Sequence, residues 1–272
     1  MRLFDRAIRV TVGPEAGDGV RFDQAFRIAF QIDQDETASG NNVQIEVYGL
    51  SPDTRAQIQQ REQIVLVEAG YGDQLEILAI AEVDRVITRR EPPEIVTTIE
   101  AIDGGASLVS IRVNVSYEPG YSVRQVIDQI ADQAALPVRV APGVDLQQSY
   151  ETGAAFSGTV KRALDQALAR VPGVDWSVQD DEIVLRRPGE PTDQSIVVLS
   201  PSSGLVRSPE RLEDQNTDGW QVESLLQPRI RPGANVRIES ADVNADTVVR
   251  RVSHQGDTRG NDWLSTAEVV AR

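Results

Sequence analysis

The sequence predicts a mainly β protein of the α+β class, with two antiparallel β regions flanking a small α+β region. Three observations predict it. Apolar residues recur with period two from Arg9 to about Arg112, the period becomes helical between Asn114 and Arg187, and alternation returns after a stiff Pro188-Gly189-Glu190-Pro191 break. We therefore expect three domains over residues 1–112, 113–188 and 189–272.

In the first region Phe22, Phe26, Ile28, Phe30 and Ile32 fall on one side of an extended segment, with polar residues between most of them. Further strands are expected at Val43 to Tyr48, Ile64 to Glu68, Leu75 to Ile80, Glu82 to Thr88 and Ile95 to Ala101. Turn-rich breaks such as Ser39-Gly40-Asn41-Asn42 and Ala69-Gly70-Tyr71-Gly72-Asp73 separate them. One short helix should run from about Pro52 to Gln60, because Ser51 is a good N-cap and Pro52 loses nothing at the first helical position.

The middle region opens with a helix over Ser122 to Ala135. Val123, Val126, Ile127, Ile130 and Ala134 share one face, Ser122 and Gln125 form a capping box, and Pro137 follows the end. A second helix is expected from about Thr159 to Arg170, with Val160, Ala163, Leu164, Ala167 and Leu168 inward and Ser157 as its cap. Val174 to Val178 and Glu182 to Arg187 then read as a hairpin around Gln179-Asp180-Asp181, which turns Trp176, Val178, Ile183 and Leu185 onto the helices. In the last region strands are expected at Ile196 to Leu199, Gly219 to Leu225, Asn235 to Ser240, Thr247 to His254 and Leu264 to Val270. Pro228, Pro232 and Gly233 turn the chain between them.

Composition excludes several function classes. With 42 Asp and Glu against 27 Lys and Arg, the net charge of −15 repels a phosphate backbone, so sequence-specific nucleic-acid binding is not expected. The absence of cysteine removes disulfides, thiolate metal sites and cysteine nucleophiles. The first residues, broken by Arg2, Asp5, Arg6 and Arg9, lack the apolar core of a signal peptide, and no stretch approaches a membrane span. A soluble protein made in the cytoplasm is the expectation, without stable membrane insertion.

No set of residues demands catalysis, a metal or a cofactor. His254, the only histidine, has no serine-elbow context and reads as a structural residue in or near a turn. Asp35 to Gly40 followed by Glu46 has calcium-loop spacing, but Asp35 is the only carboxylate at the early odd-numbered ligand positions, so a solvated hairpin loop is favoured. The pairs Asp180 with Asp181, and Asp33 with Asp35, have the residue types of a glycosidase yet sit where turns need polar groups. Trp176, Trp220 and Trp263 fit cores or interfaces better than sugar stacking. We expect neither enzyme activity nor a bound cofactor.

Two resemblances add to this reading. Asn42-Val43-Gln44-Ile45-Glu46-Val47-Tyr48-Gly49-Leu50-Ser51-Pro52-Asp53-Thr54, Ile64 to Leu66 leading into Ala69-Gly70-Tyr71, and Thr97 to Gly104 resemble the first domain of phage baseplate hub and tail proteins. Ser224-Leu225-Leu226-Gln227-Pro228, Arg231-Pro232-Gly233, His254-Gln255-Gly256-Asp257 and Trp263 are similar to the C-terminal part of the same proteins. The middle region, through Ser122 to Ala135, Ala163-Leu164 to Leu168 and Trp176 to Leu185, resembles the short N-terminal domain of secretins and TonB-dependent transducers.

The hub resemblance implies two tube-like β-barrels per chain and a homotrimer, whose six barrels would match a hexameric tail tube. It further implies a structural role at the distal tail end of the virion, as part of the DNA conduit. The implied partners are the tail tube or distal tail protein, the tape measure protein and the central spike. Two alternatives remain: an envelope-associated secretion component built around the secretin-like region, and a cell-wall hydrolase of the tail tip.

Overall fold

A computed structural model of the chain describes residues 5–37, 40–60, 62–103, 111–212 and 218–272. The first region consists of β1 (Arg6–Glu15), β2 (Asp18–Asp23), β3 (Ile28–Asp35), β4 (Asn41–Tyr48), α1 (Pro52–Ile58), β5 (Ile64–Tyr71), β6 (Gln74–Glu91) and β7 (Glu94–Asp103). Its strands follow the order β2-β1-β5-β6-β7-β4-β3 and curl round one core that includes Ile8, Phe22, Ile32, Ile45, Val67 and Ile99. Among the described residues no ladder joins β2 to β3. Strict alternation explains β3 and β4. Ile28, Phe30 and Ile32 face Val47, Ile45 and Val43 across the ladder, and Gln31 and Gln44 point outward between them. Ser51 caps α1, its side chain accepting from the Thr54 amide.

Two expectations in this region are corrected. Phe22 and Phe26 do not share a strand with Ile28. Phe22 ends up in β2, and the Asp23 carboxylate accepts from the Ala25 amide to form the turn before β3. The alternation survives this turn, which is why it reads as one segment, and the two rings meet edge to face at 5.7 Å. Leu75 to Ile80 and Glu82 to Thr88 are one 18-residue strand, β6. Register shifts between Val67 and Glu68 opposite it, and between Val83 and Arg85 within it, let β6 leave β5 and run along β7 to its end.

The middle region comprises β8 (Arg112–Tyr117), α2 (Val123–Ala134), β9 (Val138–Val140), β10 (Ala154–Thr159), α3 (Val160–Leu168), β11 (Asp175–Gln179) and β12 (Glu182–Arg186). Ser122 and Gln125 form the expected capping box, and Ala135 closes α2 in the left-handed conformation. The cap of α3 is Thr159 rather than Ser157, because β10 continues through Ser157, paired with Asn114, before the helix begins. The hairpin β11-β12 turns on Asp180 and Asp181, both at positive φ (53° and 59°), the geometry of a two-residue primed turn. Trp176, Val178, Ile183 and Leu185 pack on the helices, with the Trp176 indole donating to Asp165 at 2.9 Å.

The last region holds β13 (Ile196–Leu199), β14 (Glu210–Arg211), β15 (Gly219–Leu225), β16 (Asn235–Glu239), β17 (Asn244–Asp257) and β18 (Trp263–Ala271). β17 determines the architecture. Its first part pairs with β16, its length follows β18, and its second part pairs with β3, from Arg251 opposite Asp35 to Asp257 opposite Ala29. The two β regions are thereby one continuous sheet, β15-β18-β17-β3-β4-β7-β6 being hydrogen-bonded neighbours in that order. Leu226 and Trp263 enter the core of the first region, where Trp263 meets Phe30 edge to face at 5.5 Å. Gly256 allows that approach: a Cβ there would lie 2.4 Å from the Phe30 ring and 2.8 Å from Trp263.

Candidate functional site

The joined sheet carries its cores on one face and polar side chains on the other. Cross-strand neighbours on the outward face run Leu264, Gln255, Gln31, Gln44 and Glu100 in one row, and Thr266, Ser253, Asp33, Asn42 and Ile102 in the next. Acids dominate the charge of this face. Asp33, Asp35, Glu46, Glu100, Glu223 and Glu268 project from it; Arg85 is paired with Glu100 at 2.5 Å, Arg207 with Glu223 at 2.7 Å, Arg251 lies near Asp35 and Glu268, and exposed Arg89 stands two positions from Ile87 on the same face of β6. The surface is rich in amides and acids, and most of the arginines named on it are paired with carboxylates.

The sheet also ends in strand edges. Among the described residues, β6 from Asp84 to Glu91 pairs only with β7, and at the other end β14 pairs with the start of β15 while Gly204 to Val206 bond along its end, which leaves β14 outermost. Such edges carry backbone donors and acceptors able to continue a sheet into a second chain.

A buried polar junction ties all three regions together. Asp103, the last residue of β7, is fully buried. Its carboxylate accepts from the Asp180 amide at 2.9 Å, the Asp181 amide at 3.0 Å and the Asn41 side chain at 3.1 Å. Asn41 also donates to the Val178 carbonyl and Gln179, and Gln179 donates to the Asp35 carbonyl at 2.8 Å. Arg231, from the loop before β16, donates to the Asp180 carboxylate at 2.5 Å and to the Ile77 carbonyl at 2.6 Å. Arg186 pairs with Glu36 at 2.6 Å. Burial pushes the Asp103 carboxyl up to about 7, against the pull of its amide donors. Burial also raises Asp180 and Glu36, opposed by Arg231 and Arg186 respectively.

The sequence-predicted candidates fall in several places. His254 is corrected: it lies inside β17, not at a turn, and is fully buried. Nε2 faces the Ile230 carbonyl at 3.1 Å, an acceptor only, so it carries the hydrogen, and Nδ1 accepts from the Ser265 hydroxyl at 2.8 Å. Burial pushes this imidazole down to about 3. Asp35 and Glu46 are not brought together. Glu46 faces Ala29, six residues from Asp35 along β3, or about 20 Å of strand. Residues 38 and 39 of that spacing lie outside the described residues.

Asp33 and Asp35 project from one strand face, and Asp180 and Asp181 belong to the junction, not to a solvated loop tip. Among the described residues, no cluster of three or more histidine, aspartate or glutamate side chains is arranged to hold a metal ion, and no helix is long and apolar enough to cross a membrane.

Sequence reasoning missed Asp103, Asn41, Gln179 and Arg231 as one unit. A signal was present: the hairpin strands alternate Trp176 and Val178 with Ser177 and Gln179, and Ile183 and Leu185 with Val184 and Arg186. All eight are buried. A hairpin buried on both faces needs a second surface to dock on.

No protein-family model matches the sequence, and no curated protein matches it. Solved structures do. The 43 kDa tail protein of prophage MuSo2 from Shewanella oneidensis aligns with 98% of this chain and 97% of its own length, at 12% identity and a TM-score of 0.70. A tail protein from Neisseria meningitidis MC58 aligns over 98% and 97%, at 13% identity and a TM-score of 0.67. An E. coli component of the type VI secretion system, itself similar to the T4 phage tail proteins gp27 and gp5, aligns over 90% of this chain and 73% of its own, at 9% identity and a TM-score of 0.58. From its first β region to its last, this chain has the fold of phage tail proteins.

Proposed function

We propose that the chain is a structural subunit of a phage tail baseplate hub, at the distal end of the tail tube, where it adapts the tube to the central spike and the tape measure. The observation that carries this reading is the pairing of β17 with β3, which fuses two β regions into one sheet with an amide- and acid-rich outer face. In the proposed assembly three chains form a ring and this face lines the lumen. DNA slides past it because like charge disfavours adhesion. The distal edge of β6 on one subunit meets the β14 edge of the next, so the ring closes by sheet continuation. Two β regions in each of three subunits give six similar surfaces towards a hexameric tube.

The role is mechanical rather than catalytic: His254 is sealed in the core with both ring nitrogens occupied, and Asp103 is sealed at the junction. The similarity to a type VI secretion component supports a second reading, the same adaptor role at the spike of a cellular injection machine.

Native mass spectrometry and electron microscopy of the purified chain, alone and mixed with the tail-tube protein of the same particle, test the proposal. Three-subunit rings that cap tube ends are expected. A monomer that stays monomeric at high concentration and ignores the tube would sink it.

A further inference from the structure

The middle region owns its hydrophobic interior. Among the described residues, its core lies between Val113 and Leu185, and neither core of the β regions takes a side chain from it. It touches the β regions through the second face of β11-β12, where Ser177, Gln179, Val184 and Arg186 are buried and only Val184 is apolar. Docking therefore relies on directional polar contacts, chiefly Asp103 on the two turn amides, Arg231 on Asp180, and Arg186 on Glu36.

These contacts leave polar atoms unmatched. Among the described residues, Glu36 Oε1, Asp180 Oδ1 and Arg186 Nη1 are buried without a protein hydrogen-bond partner. A cleft of about 180 Å³, lined among others by Arg139, Asp180, Asp193, Arg229 and Arg231, lies between the hairpin and the last region and reaches Asp180. A small polar interface between bodies with separate cores permits relative motion, because water replaces each contact as it parts and little apolar area is exposed.

We infer that the middle region is a hinged body that undocks from the β regions as a folded unit, with the Asp103, Asp180 and Arg231 contacts as its latch. Undocking frees the Asp180 and Asp181 amides and the end of β7 while α2, α3 and the hairpin ladder stay intact. The inference is independent of the hub reading.

Amide exchange of the whole chain, followed residue by residue by NMR under conditions where exchange reports opening equilibria, tests it. In the unmodified protein the Asp180 and Asp181 amides should exchange at least tenfold faster than those of Ile127 and Ile130 in α2 and Ile45 in β4, after correction for intrinsic rates. In Asp103→Asn the two turn amides should accelerate a further tenfold with the α2 amides unchanged. A common opening rate for junction, α2 and β4 in the unmodified protein would overturn the inference. So would parallel acceleration of all of them in a folded variant. If the variant does not fold, the comparison within the unmodified protein decides alone.

Discussion

Replacing His254 by glutamine should remove most of the acid sensitivity that this residue gives the protein. Burial holds the imidazole neutral and pushes it down to about 3, whereas the unfolded chain titrates near the ordinary 6.5. Because the unfolded state binds the proton first, the contribution of His254 is fully present above 6.5 and is lost as pH falls towards 3. At pH 5 the unfolded chain gains a factor of roughly 30 from protonation and the folded chain almost nothing, a loss of about 2 kcal/mol; at pH 4 it is about 3 kcal/mol.

Asp103 acts with the opposite sign. Its folded value of about 7 stands above the ordinary carboxylate range, so its contribution is present below about 4 and fades as pH rises to 7. The difference between the unmodified protein and His254→Gln cancels that contribution. Urea unfolding at pH 8 and pH 5, read by tryptophan fluorescence, measures it. The unmodified protein should lose about 2 kcal/mol more than the variant between these pH values. Equal losses would refute the burial assigned to His254.

Gly256→Ala forces a methyl group onto the Phe30 and Trp263 rings, and should destabilise by about 1–3 kcal/mol; an unchanged urea midpoint contradicts the packing. Ser122→Ala removes the capping box of α2 and should cost about 1 kcal/mol, with faster amide exchange in its first turn. Glu36→Ala strands the nearly fully buried Arg186 and should destabilise by about 3–5 kcal/mol, with much of the loss recovered when Arg186→Met is added. Additive losses in that double variant would show that the pair is exposed in solution.

Period and punctuation made the local elements legible. The alternating residues of β4, the Ser51-Pro52 start of α1, the Ser122 capping box and the Asp180-Asp181 turn were each readable because the information lies within a few neighbouring residues. The 18-residue β6 was not, since the register shift at Val83 and Arg85 breaks the alternation that would have marked one strand. Period two says which face a residue takes but not which strand lies beside it. The pairing of β17 with β3, more than two hundred residues apart, was therefore invisible, and with it the joined outer face. Asp103, Asn41 and Arg231 meet only through such pairings, and His254 read as a turn residue because Gln255-Gly256-Asp257 resembles a turn while continuing a strand.

Cryo-electron microscopy of the distal tail of intact particles from the source organism tests the central claim most directly. The account predicts three copies of this chain in a ring at the tube end, with Gln31, Gln44, Gln255 and Glu100 facing the lumen. Particles whose tail tip lacks the chain, or a ring that turns this face outward, would contradict it.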